Sequence, residues 1–386
     1  MARGIVILGS TGSIGQQALE VIRANPDGLR VVGLAAGQNL DLLARQVRDY
    51  APLYVSAPKL PPGSTWNGAL VVSLTDICLV PEAERVLVST VGSTGLLPTI
   101  TAIRSRKTVL LANKEVLVMA GNLVMAEAHR VGIPILPVDS EHNAVWQCFA
   151  GDCSLGAGLT HGPLRRIVLT ASGGAFRDLP LDQLAMVTPQ QALAHPNWVM
   201  GQKVTVDCAT LMNKGFEVIE AHWLFGLPYE QIDVLLHRES IVHALVEFVD
   251  GSIKAELSTP DMRIPIQHAL TYPDRRASSW PRLRIEEIGR LTFAPLDRAR
   301  YPCFDLALAA ATAGGTVATT LSAADDVAVE KFLKGQIAFT EIPELIDRMI
   351  QAHQPISNPT LDDILWVDQQ VRHDAESRLT RGTLRA

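Results

Sequence analysis

The side chains best equipped for chemistry are carboxylates and lysines gathered in a few short segments. Val138-Asp139-Ser140-Glu141-His142-Asn143 is one, and Asn213-Lys214-Gly215-Phe216-Glu217-Val218-Ile219-Glu220 is another. If the first is locally extended, Asp139 and Glu141 face one side and Ser140 the other. In the second, helical spacing puts Asn213, Lys214 and Glu217 on one face. Two carboxylates joined by a third from a distant helix make an open oxygen site suited to Mg²⁺ or Mn²⁺, with positions left for substrate oxygens and water. The alternative for an Asp-x-Glu pair is a solvated turn. Leu111-Ala112-Asn113-Lys114-Glu115 brings Asn and Lys to a strand end, either for chemistry or as a surface Lys–Glu pair. Ala171-Ser172-Gly173-Gly174-Ala175 is a small-residue turn whose N–H groups and hydroxyl could hold a phosphate. In His195-Pro196-Asn197-Trp198-Val199-Met200-Gly201, Pro and Gly bound a Trp and a Met. That segment reads as a hydrophobic flap over a ligand or as packing of Trp198 on a neighbouring helix.

A second kind of site opens the chain. Ile5-Val6-Ile7-Leu8 runs into Gly9-Ser10-Thr11-Gly12-Ser13-Ile14-Gly15, then into a helical run that Pro26 helps to end. A strand, a glycine turn and a helix N-terminus form the cradle for a dinucleotide pyrophosphate, because glycines allow close approach and free N–H groups face the charge. The spacing is G-x-x-G-x-x-G rather than G-x-G-x-x-G, and a tight turn without a ligand is the alternative. The second strand ends in Ala35-Ala36-Gly37-Gln38-Asn39, without the carboxylate that binds the ribose diol of NAD. NADP is therefore favoured, although no Lys or Arg stands there for the 2′-phosphate. Asp41 and Arg45 are expected on the following helix.

These segments need a scaffold that brings strand ends together. Short β-branched runs at 5–8, 31–35, 54–56, 86–89, 109–111 and 135–138 alternate with helical stretches, predicting βαβ units and a doubly wound parallel sheet over residues 1–138. A helix at 143–149, a strand at 167–170, a helix near 211–224 and a hairpin of 241–249 with 252–257 predict a central α+β domain, residues 139–271, with a largely antiparallel sheet. Asp250-Gly251 supplies the hairpin turn. Residues 272–300, with Pro273, Pro281 and Pro295, read as a surface linker, and 301–386 as a helical bundle. Ser322-x-x-Asp325 and Thr360-x-x-Asp363 resemble capping boxes, and Ile342, Leu345, Ile346, Met349 and Ile350 mark an apolar helix face.

Composition bounds the whole. A length of 386 residues allows two or three domains, and 47% hydrophobic with 19% charged residues excludes a disordered chain. The net charge of −6 argues against a nucleic-acid or anionic-membrane binder. Five cysteines (78, 148, 153, 208, 303) without a C-x-x-C pair suit a reducing compartment. The start has no signal-peptide core, and the uncharged stretch between Asp305 and Asp325 is a poor membrane span, so a cytoplasmic location is expected.

Seven segments in order, GSTGSIG (9–15), LANKE (111–115), VDSEHNA (138–144), TASGGAF (170–176), HPNWVMG (195–201), NKGFEVIEA (213–221) and PDMRIPI (260–266), closely resemble the 1-deoxy-D-xylulose 5-phosphate reductoisomerases. The resemblance spans nearly the whole chain. It implies a V-shaped subunit with a Rossmann-like NADPH domain, a central catalytic domain that forms a homodimer contact, and a C-terminal helical bundle. It implies a small phosphorylated sugar substrate, NADPH, and a divalent cation, Mg²⁺, Mn²⁺ or Co²⁺, on Asp139, Glu141 and Glu217, with Glu220 the poorer choice. Lys114 and Glu141 match catalytic positions. Ser140, Ser172, His195, Asn213 and Lys214 match substrate contacts, with Trp198 on the flap. Thr11, Gly12, Ser13, Ile14, Gly37, Asn39, Asn113, Glu115 and Gly201 match cofactor positions. This chain departs from the family at Gln38, where Lys is usual, which predicts weaker discrimination against NADH. It departs again at Cys208, where Ser is usual at a phosphate contact, because a thiol is the weaker donor. The alternatives are a semialdehyde- or homoserine-type dehydrogenase, which needs no three-carboxylate site, and a dinucleotide-binding regulator without turnover.

Overall fold

Ile5, Val6, Ile7 and Leu8 are all fully buried, the unbroken apolar run of a parallel strand covered by helices on both faces. In the computed structural model of the chain, which describes residues 2–149 and 164–380, this strand is central to the first sheet. That sheet comprises β1 (Arg3–Leu8), β2 (Leu29–Ala35), β3 (Tyr54–Ser56), β4 (Thr65–Trp66), β5 (Ala69–Val71), β6 (Arg85–Val88), β7 (Thr108–Leu111) and β8 (Ile135–Pro137). Its order is β4-β5-β3-β2-β1-β6-β7-β8, parallel except for the β4–β5 pair. The chain leaves β1 for β2 on one side and crosses to β6 on the other, so the strand order reverses between β1 and β6. Ligands of doubly wound sheets bind at such a reversal, outside the carboxyl ends of the strands. The β4–β5 hairpin is an addition to the expected strands. Its signal was Asn67-Gly68, both at positive φ, in a two-residue turn.

The second sheet is built from β9 (Leu164–Ala171), β10 (Ile232–Leu236), β11 (Val242–Phe248), β12 (Ile253–Leu257) and β13 (Ala294–Pro295), in the order β12-β11-β9-β10-β13. Only β9 and β10 pair in parallel. The predicted hairpin is β11–β12, with Gly251 at φ +87° and the Ser252 N–H donating to Asp250 Oδ1 at 2.9 Å. The segment expected to be a plain linker does more than wrap: β13 within it adds an edge strand to β10, and His237 Nδ1 lies 2.8 Å from the Thr292 carbonyl oxygen.

Four helices, Pro302–Ala313, Val317–Leu333, Glu341–Ala352 and Leu361–Thr380, form the bundle. Ile342, Leu345, Ile346 and Met349 are buried along the predicted face, with Ile350 half-buried. The capping box at Thr360 is present: its N–H donates to Asp363 Oδ2 at 2.8 Å, and the Asp363 N–H to Thr360 Oγ1 at 3.2 Å. The one predicted at Ser322 is not. Ser322 and Asp325 lie inside Val317–Leu333, where Asp325 is bound by an ammonium instead of starting a helix. The bundle shares its apolar core with residues of the middle of the chain, Val206, Met212, Phe216 and Ile219 among them. No described helix is long and apolar enough to cross a membrane. Cys78, Cys148, Cys208 and Cys303 are free thiols, and Cys153 lies outside the described residues.

Candidate active site

Four strand ends of the first sheet deliver the site. After β1, Gly9 takes φ +87°, where a Cβ would stand 2.4 Å from the Ser89 carbonyl oxygen. Only glycine lets the turn pass so close to the end of β6. Gly15 is equally confined, its Cβ position 2.4 Å from the Gly9 carbonyl oxygen. The helix Ser13–Ala24 starts at Gly12 with no side-chain cap, so its first N–H groups are left for a ligand. Gly12, Ser13 and Ile14 line a cavity of about 380 Å³, together with Thr90 after β6, Lys114 after β7 and Asp139 after β8. Thr11, Gly37, Gln38, Asn39 and Asn113 stand outside its lining. Gly37, Gln38 and Asn39 are exposed beyond β2, and Asn39 Oδ1 accepts the Leu42 N–H at 3.1 Å, capping the helix Leu40–Tyr50 that carries Asp41 and Arg45. Asn113 is buried. Its Nδ2 donates to the Thr90 and Gly92 carbonyl oxygens and its Oδ1 accepts the Val116 N–H, so it shapes the loop after β6.

The condition that would align Asp139 and Glu141 along a strand, an extended 138–143, is not met: the segment is a helix start. Ser140–Phe149 is helical, three residues earlier than predicted, and Asp139 Oδ1 accepts the Ser140 N–H at 3.0 Å. The helix expected near 211–224 is present as Met212–Phe225; a further helix, Gln202–Thr210, precedes it, and Leu211, at φ +56°, turns the chain between the two. Carboxylate oxygens of Asp139, Glu141 and Glu217 nevertheless come within 4.8 Å of one another. An all-oxygen set of this kind fits a hard divalent cation.

Two buried ammonium groups neutralise the cluster. Lys114 Nζ donates to Asn213 Oδ1 at 2.8 Å and to Glu217 Oε1 at 3.2 Å. It stands 2.5 Å from Asp139 Oδ2, an ion pair rather than an aligned hydrogen bond. Lys214 Nζ donates to Glu141 Oε1 at 2.8 Å, to the Thr170 carbonyl oxygen at 2.5 Å and to Glu217 Oε2. Lys114 is thus no surface partner of Glu115. The two carboxyls respond oppositely. Burial pushes Glu217 up to about 7, helped by the adjacent Glu141. Burial also opposes ionisation of Glu141, but Lys214 outweighs it and holds that carboxyl at about 2. Glu220 is fully buried behind them, raised by burial and then by Asp139. It faces His142 Nδ1 at 3.5 Å, in a second cluster with Asp139.

Opposite the carboxylates is a polar pocket wall. Gly173 (φ +84°) and Gly174 (φ +68°) turn the chain after β9, and Ser172 Oγ lies 2.9 Å from His195 Nε2. His195 Nδ1 accepts the Asn197 and Trp198 N–H groups, so the ring proton sits on Nε2 and points at Ser172. Burial, then Arg177, lowers this imidazole to about 4. Trp198 lines the cavity and faces His243 on β11, ring centroids 5.9 Å apart. Val199 is 97% exposed at the flap tip, and Gly201 caps the next helix. Cys208 is half-buried in the same wall, its thiol pushed up by burial. His243, Ser240 and Lys203 also line the cavity and were missed. The signal for His243 was a histidine inside a strand of otherwise apolar neighbours.

Three stretches match family profiles: residues 5–121 that of 1-deoxy-D-xylulose 5-phosphate reductoisomerase, 135–225 its C-terminal domain, and 257–374 the DXP reductoisomerase C-terminal domain. The chain is 48% identical over 385 residues to 1-deoxy-D-xylulose 5-phosphate reductoisomerase of Pelotomaculum thermopropionicum, covering 96% of this chain and 97% of the relative. It is 48% identical over 387 residues to that of Geobacillus kaustophilus, covering 97% and 99%. Among solved structures, a DOX-P reductoisomerase in complex with NADPH, fosmidomycin and magnesium superposes with a TM-score of 0.90 at 36% identity, covering 98% of each chain. The Zymomonas mobilis enzyme in complex with NADPH gives 0.87 at 35%, covering 98% and 99%. Sequence, fold and the clustered acids agree: the chain belongs to the 1-deoxy-D-xylulose 5-phosphate reductoisomerase family.

Proposed function

We propose that this protein rearranges 1-deoxy-D-xylulose 5-phosphate and reduces the product with NADPH to 2-C-methyl-D-erythritol 4-phosphate, in isoprenoid precursor synthesis, with a divalent cation held by Asp139, Glu141 and Glu217. The observation that carries this is the convergence of those three carboxylates with Lys114 and Lys214 in one cavity with the glycine turn. When bound, the cation supplies Lewis-acid stabilisation of oxyanion charge and NADPH supplies a hydride. The chain's own groups position and protect. Lys114 adds positive charge beside the reacting oxygens, and Asn213 fixes that ammonium through its Oδ1. Ser140 donates to Glu141 Oε2 at 2.5 Å and orients that carboxylate.

For the substrate phosphate we assign Ser172, the Gly174 N–H and His195, whose low basicity keeps Nε2–H a donor at neutral pH, with Lys214 and Cys208 adjoining. Trp198 closes the flap and excludes water from the aldehyde intermediate. Thr11, Gly12, Ser13 and Ile14 would hold the cofactor's pyrophosphate, Gly37, Gln38 and Asn39 would serve its ribose phosphate, and Asn113, Glu115 and Gly201 would serve its nicotinamide end. Residues 1–138 serve the cofactor, 139–271 catalysis, 272–300 the link and 301–386 support. The proposal includes a homodimer through β12, an edge strand with Ile253 and Leu257 exposed, and a cytoplasmic location. Light scattering of the purified chain at the mass of a monomer overturns the dimer.

The test of function is NADPH oxidation with 1-deoxy-D-xylulose 5-phosphate, with and without Mg²⁺ or Mn²⁺. Absorbance loss that depends on metal is expected, and its absence overturns the proposal. Asp139→Asn and Glu217→Gln each lower turnover by more than about 100-fold, because each removes a cation ligand. Retained turnover in either removes that residue from the site.

A further inference from the structure

A chain of ion pairs outside the carboxylate cluster ties two walls of the cavity to the C-terminal bundle. Lys203 follows Gly201 by two residues, where the flap meets the helix Gln202–Thr210. Its ammonium stands 2.6 Å from Asp207 Oδ2, 2.6 Å from Asp325 Oδ2, 3.3 Å from Asp326 Oδ1 and 3.9 Å from Glu115 Oε1. Asp325 and Asp326 come from the bundle helix Val317–Leu333. Asp326 Oδ2 also accepts from Arg372 Nη2 at 2.7 Å, and Arg372 Nε donates to Asp368 Oδ1 at 3.0 Å. Asp368 Oδ2 then accepts the Ser93 hydroxyl at 2.8 Å. Ser93 lies in the loop after β6, whose residues 89–91 line the cavity with the glycine turn. Gly92 has φ +59°, and a Cβ there would meet Asp326 Oδ2 at 3.0 Å, so the loop backbone rests on the same ion pair. Asp325 is fully buried and Asp207 nearly so. Removing a cation from such a set leaves buried charge without compensation, which makes the arrangement stiff.

We infer that Lys203, Asp326, Arg372 and Asp368 are positioning residues through which the bundle holds the loop after β6 and the flap hinge at Gly201 in one relation, coupling cofactor binding to binding of the phosphorylated ligand. The identity of the two ligands rests on the function proposed above. None of the four needs to touch a reacting atom. When one ligand orders its wall through the shared bracket, the other wall is already partly ordered, and the second ligand binds more tightly by the same factor in either order.

The test is calorimetric titration of the full-length protein, with Mg²⁺ present, by NADPH and by fosmidomycin, each alone and each after the other. In the parent, each ligand tightens the other. Arg372→Gln and Ser93→Ala each reduce that tightening by about fivefold or more, with affinity for each ligand alone kept within about twofold. Combining them adds little, because both cut one chain. Arg372→Lys restores part of the coupling. Unchanged coupling in both variants overturns the inference. So does a matching loss of affinity for each ligand alone, which is what a purely structural role produces, and so does a parent without coupling. Ser93→Ala removes one hydroxyl and keeps the test open if Arg372→Gln fails to fold. A parent that couples the ligands yet leaves NADPH unoxidised with 1-deoxy-D-xylulose 5-phosphate overturns the function and not this inference.

Discussion

Glu141 and Glu217 are chemically alike and sit in one cluster, yet their environments push them apart, to about 2 and about 7. The difference follows from their surroundings: at Glu141, Lys214 and the Ser140 hydroxyl outweigh burial, while Glu217, although it contacts both lysines, is more deeply buried and faces the carboxylates of Glu141 and Asp139. A divalent cation relieves that repulsion, so the lysines read as placeholders for part of its charge. Gln38 is a contrasting residue. It is exposed just after Gly37, so a longer cationic side chain has room there. Gln38→Lys is expected to raise the ratio of kcat/KM for NADPH over NADH by about tenfold, the worth of one charge-assisted contact. An unmoved ratio removes this position from the 2′-phosphate.

At the scale of elements, the turn after β9 carries an exacting constraint. Gly174 has φ +68°, and a Cβ there would lie 2.5 Å from the Cys208 carbonyl oxygen. The turn holding Ser172 is thereby locked onto the helix Gln202–Thr210. Gly174→Ala is expected to cost about 2 kcal/mol of stability, from strain at positive φ and the clash. It should also raise KM for the sugar phosphate more than KM for NADPH. A thermal midpoint equal to the parent's, with both KM values unchanged, sinks this reading. The break at Leu211 acts in the same region. It lets Met212–Phe225 change direction so that Asn213, Lys214 and Glu217 face the ends of β7 and β8, which one straight helix from 202 onwards would not do.

For the molecule as a whole, buried histidines tie stability to pH. His142, His195 and His268 are each lowered from 6.5 to about 4, burial being the largest cause in all three. Between those values the unfolded chain binds protons that the folded one refuses. Stability from these groups is therefore full above about pH 6.5 and lost as pH falls towards 4, by up to about 3 kcal/mol per residue. Buried acids such as Asp207, raised by burial and then by Asp325, slope the other way, so the readout is a difference between proteins. His268 packs on Trp146 and Tyr272 away from the carboxylates, with ring centroids 4.4 Å and 6.3 Å away. His268→Phe should flatten the fall in urea midpoint between about pH 7 and about pH 5. A slope equal to the parent's rules His268 out as a contributor.

What was legible in the sequence was whatever depends on neighbours along the chain. The buried run 5–8 announces a central parallel strand, Asp250-Gly251 a hairpin, Thr360 with Asp363 a helix start, and Asn213, Lys214 and Glu217 one helical face, because local sterics and period set all of these. Local rules also mislead where distant partners win. Ser322 and Asp325 have the spacing of a cap, but Lys203, from a helix far away in sequence, claims Asp325 in mid-helix. Asp139, Ser140 and Glu141 do not alternate as a strand, because the chain turns into a helix as soon as β8 ends. Only the tertiary structure decided that Lys114 pairs with Asp139 and Glu217 rather than with Glu115, that Glu220 turns to His142, and that the bundle grips both the loop after β6 and the flap hinge. Those outcomes depend on which strand ends and helices share a desolvated space, where each charge must find its counterpart, and spacing along one chain does not encode that neighbourhood.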